Sequence, residues 1–427
     1  MSFFRPTSES FSSAVPAEAG VRRTSEILGE AIMDSVSSVR DSLPEQHRAH
    51  FETLRQEIIT FTEVHGIPRE SLGKPDLLRE VTGKLSTQDL ERLALLLERF
   101  EYLLKNGEPK KEEIDPAKAI EYGEKFYHLR EQYDSQVELL EEVGILKEGV
   151  ILGIDGHEYP VPTLEQIASR LFERRETLKT KHDQGFTKLL LVPFGMSLDA
   201  LQETIKQFFI KYKKSHSFDL DTSMPLFTSG DYQGADTGDS PNLFYYPQSF
   251  DEKGHQGKTK MEILREQEDN QDSFPGWTVH LFQPSNSDSQ DTEAPMGFAH
   301  IPRQGKGTSQ GDLVPRPSLE ASKTPNEYLS ILQNAQDDKD SPYHGETGMT
   351  PEDWITAFMI HLSETGKPLD DYLNGIESAS NLTGAFFLFS YLVPRARWSR
   401  GSRRIHLFGN SLLGWVVDTG VRSSVML

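Results

Sequence analysis

The 427-residue chain contains no cysteine. That excludes disulfides, thiol nucleophiles and zinc centres built on thiolates. No apolar run approaches the roughly 20 residues of a spanning helix. The opening MSFFRPTSESFSSAVPAEAG has no apolar core of signal-peptide length. The expectation is a cytoplasmic protein without membrane contact. Basic residues are outnumbered, 45 Lys and Arg against 66 Asp and Glu, for a net charge of −21. That balance argues against general nucleic-acid or anionic-membrane binding, because phosphates need Lys and Arg. The apolar share, 36%, is low for a compact globule yet too high for wholesale disorder, so the deficit is expected in loops and an unstructured terminus. The length suffices for two or three domains with their own cores.

A further absence is local. From Ser378 to Leu427 there is no Lys, no Glu and no Gln. The same segment carries six Arg (395, 397, 400, 403, 404 and 422) against one acid, Asp418, for a formal charge of +5. A basic, aromatic module thus ends an acidic chain. A charge bias explains losing Glu, but not losing Lys while Arg stays abundant, nor losing neutral Gln.

Residues 1–22, rich in Ser, Ala and Pro, read as a disordered N-terminus. Residues 23–143 read as a helical domain. Leu90, Leu93, Leu96, Leu97, Phe100, Leu103 and Leu104 form one stripe at helical spacing. Ser86 with Asp89 resembles an N-cap with an acidic first turn. Asp115-Pro116 opens another helix through Tyr122, Phe126 and Leu129. Residues 144–273 read as a small α/β module followed by a loop-rich linker. In that module Asp155-Gly156 marks a hairpin, Thr163 opens a helix to about His182, GFTKLLLVPF is a buried strand, and Ser197 opens a helix to Lys214. The linker sequence DYQGADTGDSPN lacks the residue order of a calcium loop.

The last unit, 274–427, begins with the strand GWTVHLFQP. Thr324-Pro325 and Thr350-Pro351-Glu352-Asp353 each start a helix, with a hydroxyl N-cap, Pro at N1 and acids in the first turn. Trp354, Ile355, Phe358, Met359 and Leu362 form the buried face of the second, and Gly366 stops it. GAFFLFSYLV reads as a buried strand, with further strands near Arg404 to Leu407 and at GVRSSVML. An α+β domain that closes its own sheet with its first and last strands accounts for this order.

Motifs for catalysis are missing. There is no G-x-S-x-G elbow, phosphate loop, H-E-x-x-H or dinucleotide fingerprint. Gly305, Gly307 and Gly311 punctuate a polar loop in which Lys306 is poorly placed for a phosphate. His280, His300, His344, His361 and His406 show no ligand spacing. No catalytic residue, cofactor or metal is expected, although a triad is a spatial rather than a sequential arrangement. The tail VPRARWSRGSRRIHLFGNSLLGWVVDTGVRSSVML instead mixes Arg with Trp398, Phe408 and Trp415, the residue types of binding hot spots. It can equally be read as a basic strand pair that completes the sheet, with Arg397 and Arg404 facing water.

The stretch from GMTPEDWITAFMIHLSETGKPLDD through VPRARWSRGSRRIHL to GVRSSV resembles the C-terminal region of variable proteins diversified by retroelements. The R-W-x-R-G core and the closing G-V-R carry the likeness. Such proteins use the C-type lectin fold, related to that of formylglycine-generating enzymes. In that family a reverse transcriptase copies a template and randomises its adenines, acting on the gene and not on the protein. An AAC or AAT codon changed at both adenines yields any residue except Lys, Glu, Gln, Met and Trp. Three of those five are the residues missing from the tail. The resemblance implies a C-type lectin-like domain over 274–427 and a variable surface formed by Arg397, Ser399, Arg400, Ser402, Arg404, His406, Phe408, Asn410, Leu412, Leu413, Trp415, Val416 and Val417. It implies that Trp354, Phe358, Phe387, Phe389 and Val421 form the packed framework, with Trp398 and Trp415 as fixed positions or sites of a single changed adenine. Phe408, Leu412, Leu413 and Trp415 are expected to supply apolar contact, and Arg397, Arg400 and Arg404 to select acidic or phosphate-bearing partners. The expected partner is a protein or other macromolecule. The formylglycine oxidation needs cysteine, so it does not carry over, and the calcium and sugar motifs of true lectins are absent. The alternative is an interaction scaffold that uses the acidic helical region, with a purely structural C-terminal domain.

Overall fold

Helix starts lie where capping chemistry places them. In the computed structural model, Ser86 Oγ accepts from Asp89 N, Asp115 Oδ1 from Ala117 N, and Thr163, Thr324 and Thr350 each from the backbone three residues on. The structure describes residues 43, 45–68, 71–72, 85–106, 114–270, 272–286, 294–303, 319–372 and 379–427. The segment 1–22 and the loop with Gly305, Lys306, Gly307 and Gly311 lie outside the described residues.

The chain divides into two compact units, 1–113 and 114–427. In the first, α1 (Glu45–Val64) and α2 (Thr87–Asn106) share a core of Phe51, Leu54, Ile58, Leu93, Leu96, Phe100 and Leu103. Leu97 and Leu104 pack at its margin, whereas Leu90 turns outward.

The second unit begins earlier than a division at 144 would put it. Helices α3 (Pro116–Tyr127) and α4 (Leu129–Glu142) meet at His128, which takes a left-handed φ of 47° and ends the single helix read from the sequence. Both pack into the core that continues to Val425. The hairpin β1 (Val150–Leu152) and β2 (Glu158–Pro160) follows, with Gly156 supplying the positive φ its turn requires. Helices α5 (Leu164–Glu173) and α6 (Arg175–Asp183) replace the single helix expected from Thr163 to His182. Then come β3 (Lys188–Val192) and α7 (Leu198–Ser215). The stretch read as a linker contributes β4 (Leu226–Thr228), β5 (Leu243–Tyr245) and α8 (Lys260–Asp269).

Strand β6 (Thr278–Phe282), α9 (Pro325–Asn334), β7 (Glu346–Gly348) and α10 (Pro351–Thr365) lead into the tail strands. These are β8 (Asp371–Tyr372), β9 (Ala379–Asn381), β10 (Ala385–Phe387), β11 (Leu392–Ser399), β12 (Arg404–Ser411), β13 (Thr419–Gly420) and β14 (Ser423–Met426). GAFFLFSYLV is therefore a strand, a turn with Tyr391 at φ 53°, and the start of the next strand.

One sheet has the order β3-β6-β14-β7, and β14 pairs antiparallel with β6, Val425 opposite Leu281. The last strand does pair with β6, as the sequence suggested. However, β3, from beyond the expected boundary at 274, is the other neighbour of β6. The second sheet carries β11 and β12, and it too recruits earlier strands: β4 pairs with β12 and β5 with β10. The α/β module and the last unit thus share two sheets and one core.

Helix α10 is buried on every side from Pro351 to Leu362, as befits an element at a core centre. Its first-turn acids do more than complement the helix dipole. Glu352 Oε1 lies 2.8 Å from Lys260 Nζ, which also lies 2.5 Å from Asp236 Oδ2, and all three side chains are fully buried. Burial pulls the Lys260 ammonium down, but the two carboxylates outweigh it and hold its pKa above the ordinary value.

Beyond the helix, Asp370 ties together three elements and Arg422. Its carboxylate accepts from Trp354 Nε1 at 2.7 Å, from Ser380 Oγ at 2.5 Å and from Arg422 Nη2 at 2.9 Å, and its carbonyl accepts from Trp398 N at 3.0 Å. Asp370 has a left-handed φ of 53°, which Asn tolerates. Asp370→Asn should therefore keep the backbone yet strand Arg422 without a counter-charge, costing about 3–5 kcal/mol. Urea unfolding followed by tryptophan fluorescence reads this, since all four Trp lie in the second unit. An unchanged midpoint would remove Asp370 from its central role.

Candidate functional site

The tail hairpin places its residues by strand alternation. Strand β11 pairs with β12 over eight residues, with Arg397 opposite His406, Ser399 opposite Arg404 and Arg395 opposite Phe408. Ala396, Trp398, Ile405 and Leu407 point inward and are buried. Trp398 closes an aromatic cluster with Phe209, Phe218 and Phe358 at centroid distances of 5.7, 5.0 and 6.3 Å. Arg397, Ser399, Arg404, His406, Phe408 and Asn410 occupy the opposite face.

None of the thirteen expected surface residues is buried. Arg400 and Ser402 lie in the turn of the hairpin. The loop after β12 carries Leu412, Leu413, Trp415, Val416 and Val417. In that loop Leu413, Trp415 and Val417 are 74, 60 and 53% exposed. They are large apolar side chains on a segment whose backbone is nonetheless tied down. Trp415 Nε1 donates to Ser322 O at 2.7 Å, Ser322 Oγ donates to Val417 O, and Asn326 N donates to Leu412 O at 3.3 Å. Leu412 turns partly inward, against the cluster of Phe250, Leu329, Phe386 and Val393.

Two expectations need correction. Phe389, assigned to the packed framework, is 65% exposed in the turn between β10 and β11, whereas Trp354, Phe358, Phe387 and Val421 are buried. The turn at 388–391 breaks the strand alternation that would have carried Phe389 inward. The arginines are also less available than their number suggests. Arg400 pairs with Asp371, Arg403 Nη1 lies 3.2 Å from Asp219, and Arg404 Nη2 lies 3.1 Å from Asp221. Arg395 donates to Thr419 Oγ1, and Arg422 is taken by Asp370. The guanidinium groups of Arg395 and Arg397 stand 5.0 and 5.5 Å from the centroid of the Phe408 ring, a cation–π arrangement that fixes its direction. Arg400 and Arg404 are thus neutralised by framework acids, and the outer face is less cationic than the tail charge implies.

The sequence reading missed Phe227 on β4. It lies opposite His406, with ring centroids 5.3 Å apart, and widens the face to three strands. Its three-residue strand sits among turn residues, so only its β pairing reveals it. His406 Nε2 lies 2.7 Å from Ser402 Oγ. Burial first, then Arg397 and Arg404, push its pKa down to about 4, so the face presents a neutral imidazole across the physiological range.

A serine–histidine–aspartate arrangement does occur elsewhere. Ser424 Oγ lies 3.0 Å from His280 Nδ1, and His280 Nε2 lies 3.5 Å from Asp353 Oδ1. All three side chains are fully buried, out of reach of a substrate. Burial lowers His280 to about 3 and raises Asp353 to about 8. A protonated Asp353 beside a neutral imidazole leaves no charge buried here, although the two facing atoms, 3.5 Å apart, lie outside hydrogen-bond geometry. His361, also buried, accepts from Phe298 N at 3.0 Å. Among the described residues, one group with metal-ligand geometry occurs, Asp155, His157 and Glu268. No known protein family, curated protein or solved structure matches the chain.

The buried pair has a worked pH signature. Between pH 4 and 6.5 the folded and unfolded chains each hold one proton on these two groups, so stability is level. Above 6.5 the unfolded chain loses its histidine proton while folded Asp353 keeps its own up to about 8, so stability falls as pH rises. Below about 4 the unfolded carboxyl takes up a proton that the folded pair does not, and stability falls again until about 3. Asp353→Asn keeps an acceptor for Thr350 N and offers a donor to His280. It should abolish the fall between pH 6.5 and 8 and leave a plateau there, read as urea midpoints across that range. A slope identical to the parent chain would contradict the neutral pair.

Proposed function

We propose that the C-terminal part of the chain, about 274–427, which shares its sheets and core with the residues before it, carries a non-catalytic ligand-binding surface of the C-type lectin type, diversified between Arg397 and Val417 through retroelement adenine mutagenesis. The observation that carries this reading is a coincidence of two patterns. The tail lacks Lys, Glu and Gln together, and every one of the thirteen positions expected to vary reaches solvent, while Trp398, Ile405 and Leu407 between them are buried. Adenine mutagenesis accounts for the first pattern. The second is what variation without loss of the fold requires, because exposed substitutions usually change stability by under about 0.5 kcal/mol whereas core truncations cost about 2–5 kcal/mol.

In this copy the contact chemistry is mainly apolar and aromatic. Leu413, Trp415 and Val417 offer exposed apolar area on a pinned backbone, and Phe408 lies fixed under two guanidinium groups. A prearranged surface limits the entropy lost on binding. The proposed partner is a macromolecule, and the arginines of the outer face offer it less charge than their number suggests, since Arg400 and Arg404 already hold acids of the chain itself.

The DNA around the gene tests the reading directly. A neighbouring reverse-transcriptase gene is expected, with a template repeat differing from the 397–417 coding segment only at adenines. Many near-identical chains that vary nowhere in 397–417 would end the proposal. At the protein level, Leu413→Ser, Trp415→Ser and Val417→Ser combined should leave the thermal midpoint within a few degrees, while Leu407→Asn alone should unfold the domain or lower its midpoint by about 10 °C or more. Equal losses from both would show that the loop belongs to the core.

A further inference from the structure

The turn of the β1–β2 hairpin and the last turn of α8 meet at a side-chain cluster remote in sequence from the tail surface. His157 Nδ1 lies 2.9 Å from Glu268 Oε1 and 3.8 Å from Asp155 Oδ2. One ligand atom from each of the three residues lies within 4.8 Å of the other two. We propose that Asp155, His157 and Glu268 form a binding site for a single zinc-type divalent transition-metal ion.

Ligand spacing supports this first. Donors about 2.0–2.1 Å from a tetrahedral ion stand roughly 3.3 Å apart. The two separations from His157, 2.9 and 3.8 Å, bracket that value. The carboxylates can close the remaining distance, because the Glu268 side chain is 43% exposed and free to adjust at the helix end.

The surroundings are built to hold the ligands. Tyr159 Oη donates to Asp155 Oδ2 and lies 3.3 Å from Glu268 Oε1. One phenol thus addresses both carboxylates, the kind of outer partner that orients metal ligands. The ring cannot swing away easily. A Cβ at Gly276 would lie 2.3 Å from Tyr159 Cγ, so backbone packs directly on the ring. Gly195 N donates to Gly276 O at 2.7 Å and Gly195 O accepts from Ile154 N at 2.9 Å, which ties the hairpin to that backbone. Asp155 Oδ1 accepts from His157 N at 3.0 Å, so the ion would take the second lone pair of Oδ2, beside the Tyr159 hydroxyl.

Donor chemistry selects the metal class. Two carboxylates and a neutral imidazole carry two negative charges against the two positive charges of the ion. The imidazole disfavours calcium and magnesium, which take oxygen ligands, and favours zinc and its neighbours. With three protein ligands, the fourth position faces solvent on the side of His157, which is 62% exposed. Without metal, the cluster is a set of hydrogen-bonded surface side chains, and the experiment separates the two cases.

The full-length chain, stripped with EDTA and dialysed, is titrated with zinc chloride by calorimetry at pH 7.5, with magnesium chloride as the comparison. One zinc per chain is expected, and magnesium should give no saturable heat. His157→Ala and Glu268→Gln should each weaken zinc binding by at least about tenfold, since even loss of an outer partner costs about 10–100-fold. Both side chains are largely solvent-exposed, and an unchanged circular dichroism spectrum verifies the fold of each variant. No saturable zinc binding, or zinc binding that survives both substitutions unchanged, would overturn the assignment.

Discussion

The C-terminal architecture depends on one buried carboxylate. Asp370 gathers the indole of α10, a hydroxyl of β9, the backbone of β11 and the guanidinium of Arg422 within hydrogen-bond reach. The charge pair is nearly sealed from water, with 7 and 2% of its two side chains exposed. In such a place a lone charge is costly, so neither partner can leave without the other. Arg422 stands between β13 and β14, and this one contact draws the end of the chain back to the segment just after α10, 52 residues earlier in sequence.

Further buried pairs repeat the device at the margins of the core. Lys260 joins Asp236 and Glu352, Lys181 joins Glu346, and Lys188 joins Glu364. Glu346 also accepts from Ser423 Oγ at 2.6 Å, which links β7 to β14 by side chains as well as by backbone. Burial lowers the Lys188 pKa, with Glu364 opposing it. Each pair connects segments that are distant in the chain, so together they lock the sheets in register. Removing either partner of such a pair would leave an uncompensated charge in the core, which is strongly destabilising.

A base of this kind is what the proposed variable surface would need. The hairpin of β11 and β12 exposes one face, and its inward residues are large and close-packed around Trp398. Framework acids at 219, 221 and 371 neutralise the tail's own arginines. The tail charge of +5 is therefore chiefly an internal matter of cohesion. On the proposed reading, contact would rest on Leu413, Trp415, Val417 and Phe408 more than on long-range attraction of acidic partners.

Much of this was legible in the chain because it rests on short-range rules. Caps at Ser86, Asp115, Thr163, Thr324 and Thr350, the stop at Gly366, and the alternation that sends Trp398 and Leu407 inward all follow from residues a few positions apart. The exclusion of Lys, Glu and Gln is likewise a property of composition. What stayed hidden depends on partners remote in sequence. Phe227, Asp219 and Asp221 sit in a segment that reads as linker, and they acquire a role only when β4 pairs with β12. The break at His128 and the outward turn of Phe389 arise where backbone conformation interrupts a period that composition alone would continue. Asp155, His157 and Glu268 span more than a hundred residues, so no local pattern announces them. Local propensity thus set the elements and the alternation of their faces. Long-range strand pairing and buried charge decided which segments share a core, which arginines pair with acids of the chain itself, and which remote side chains meet.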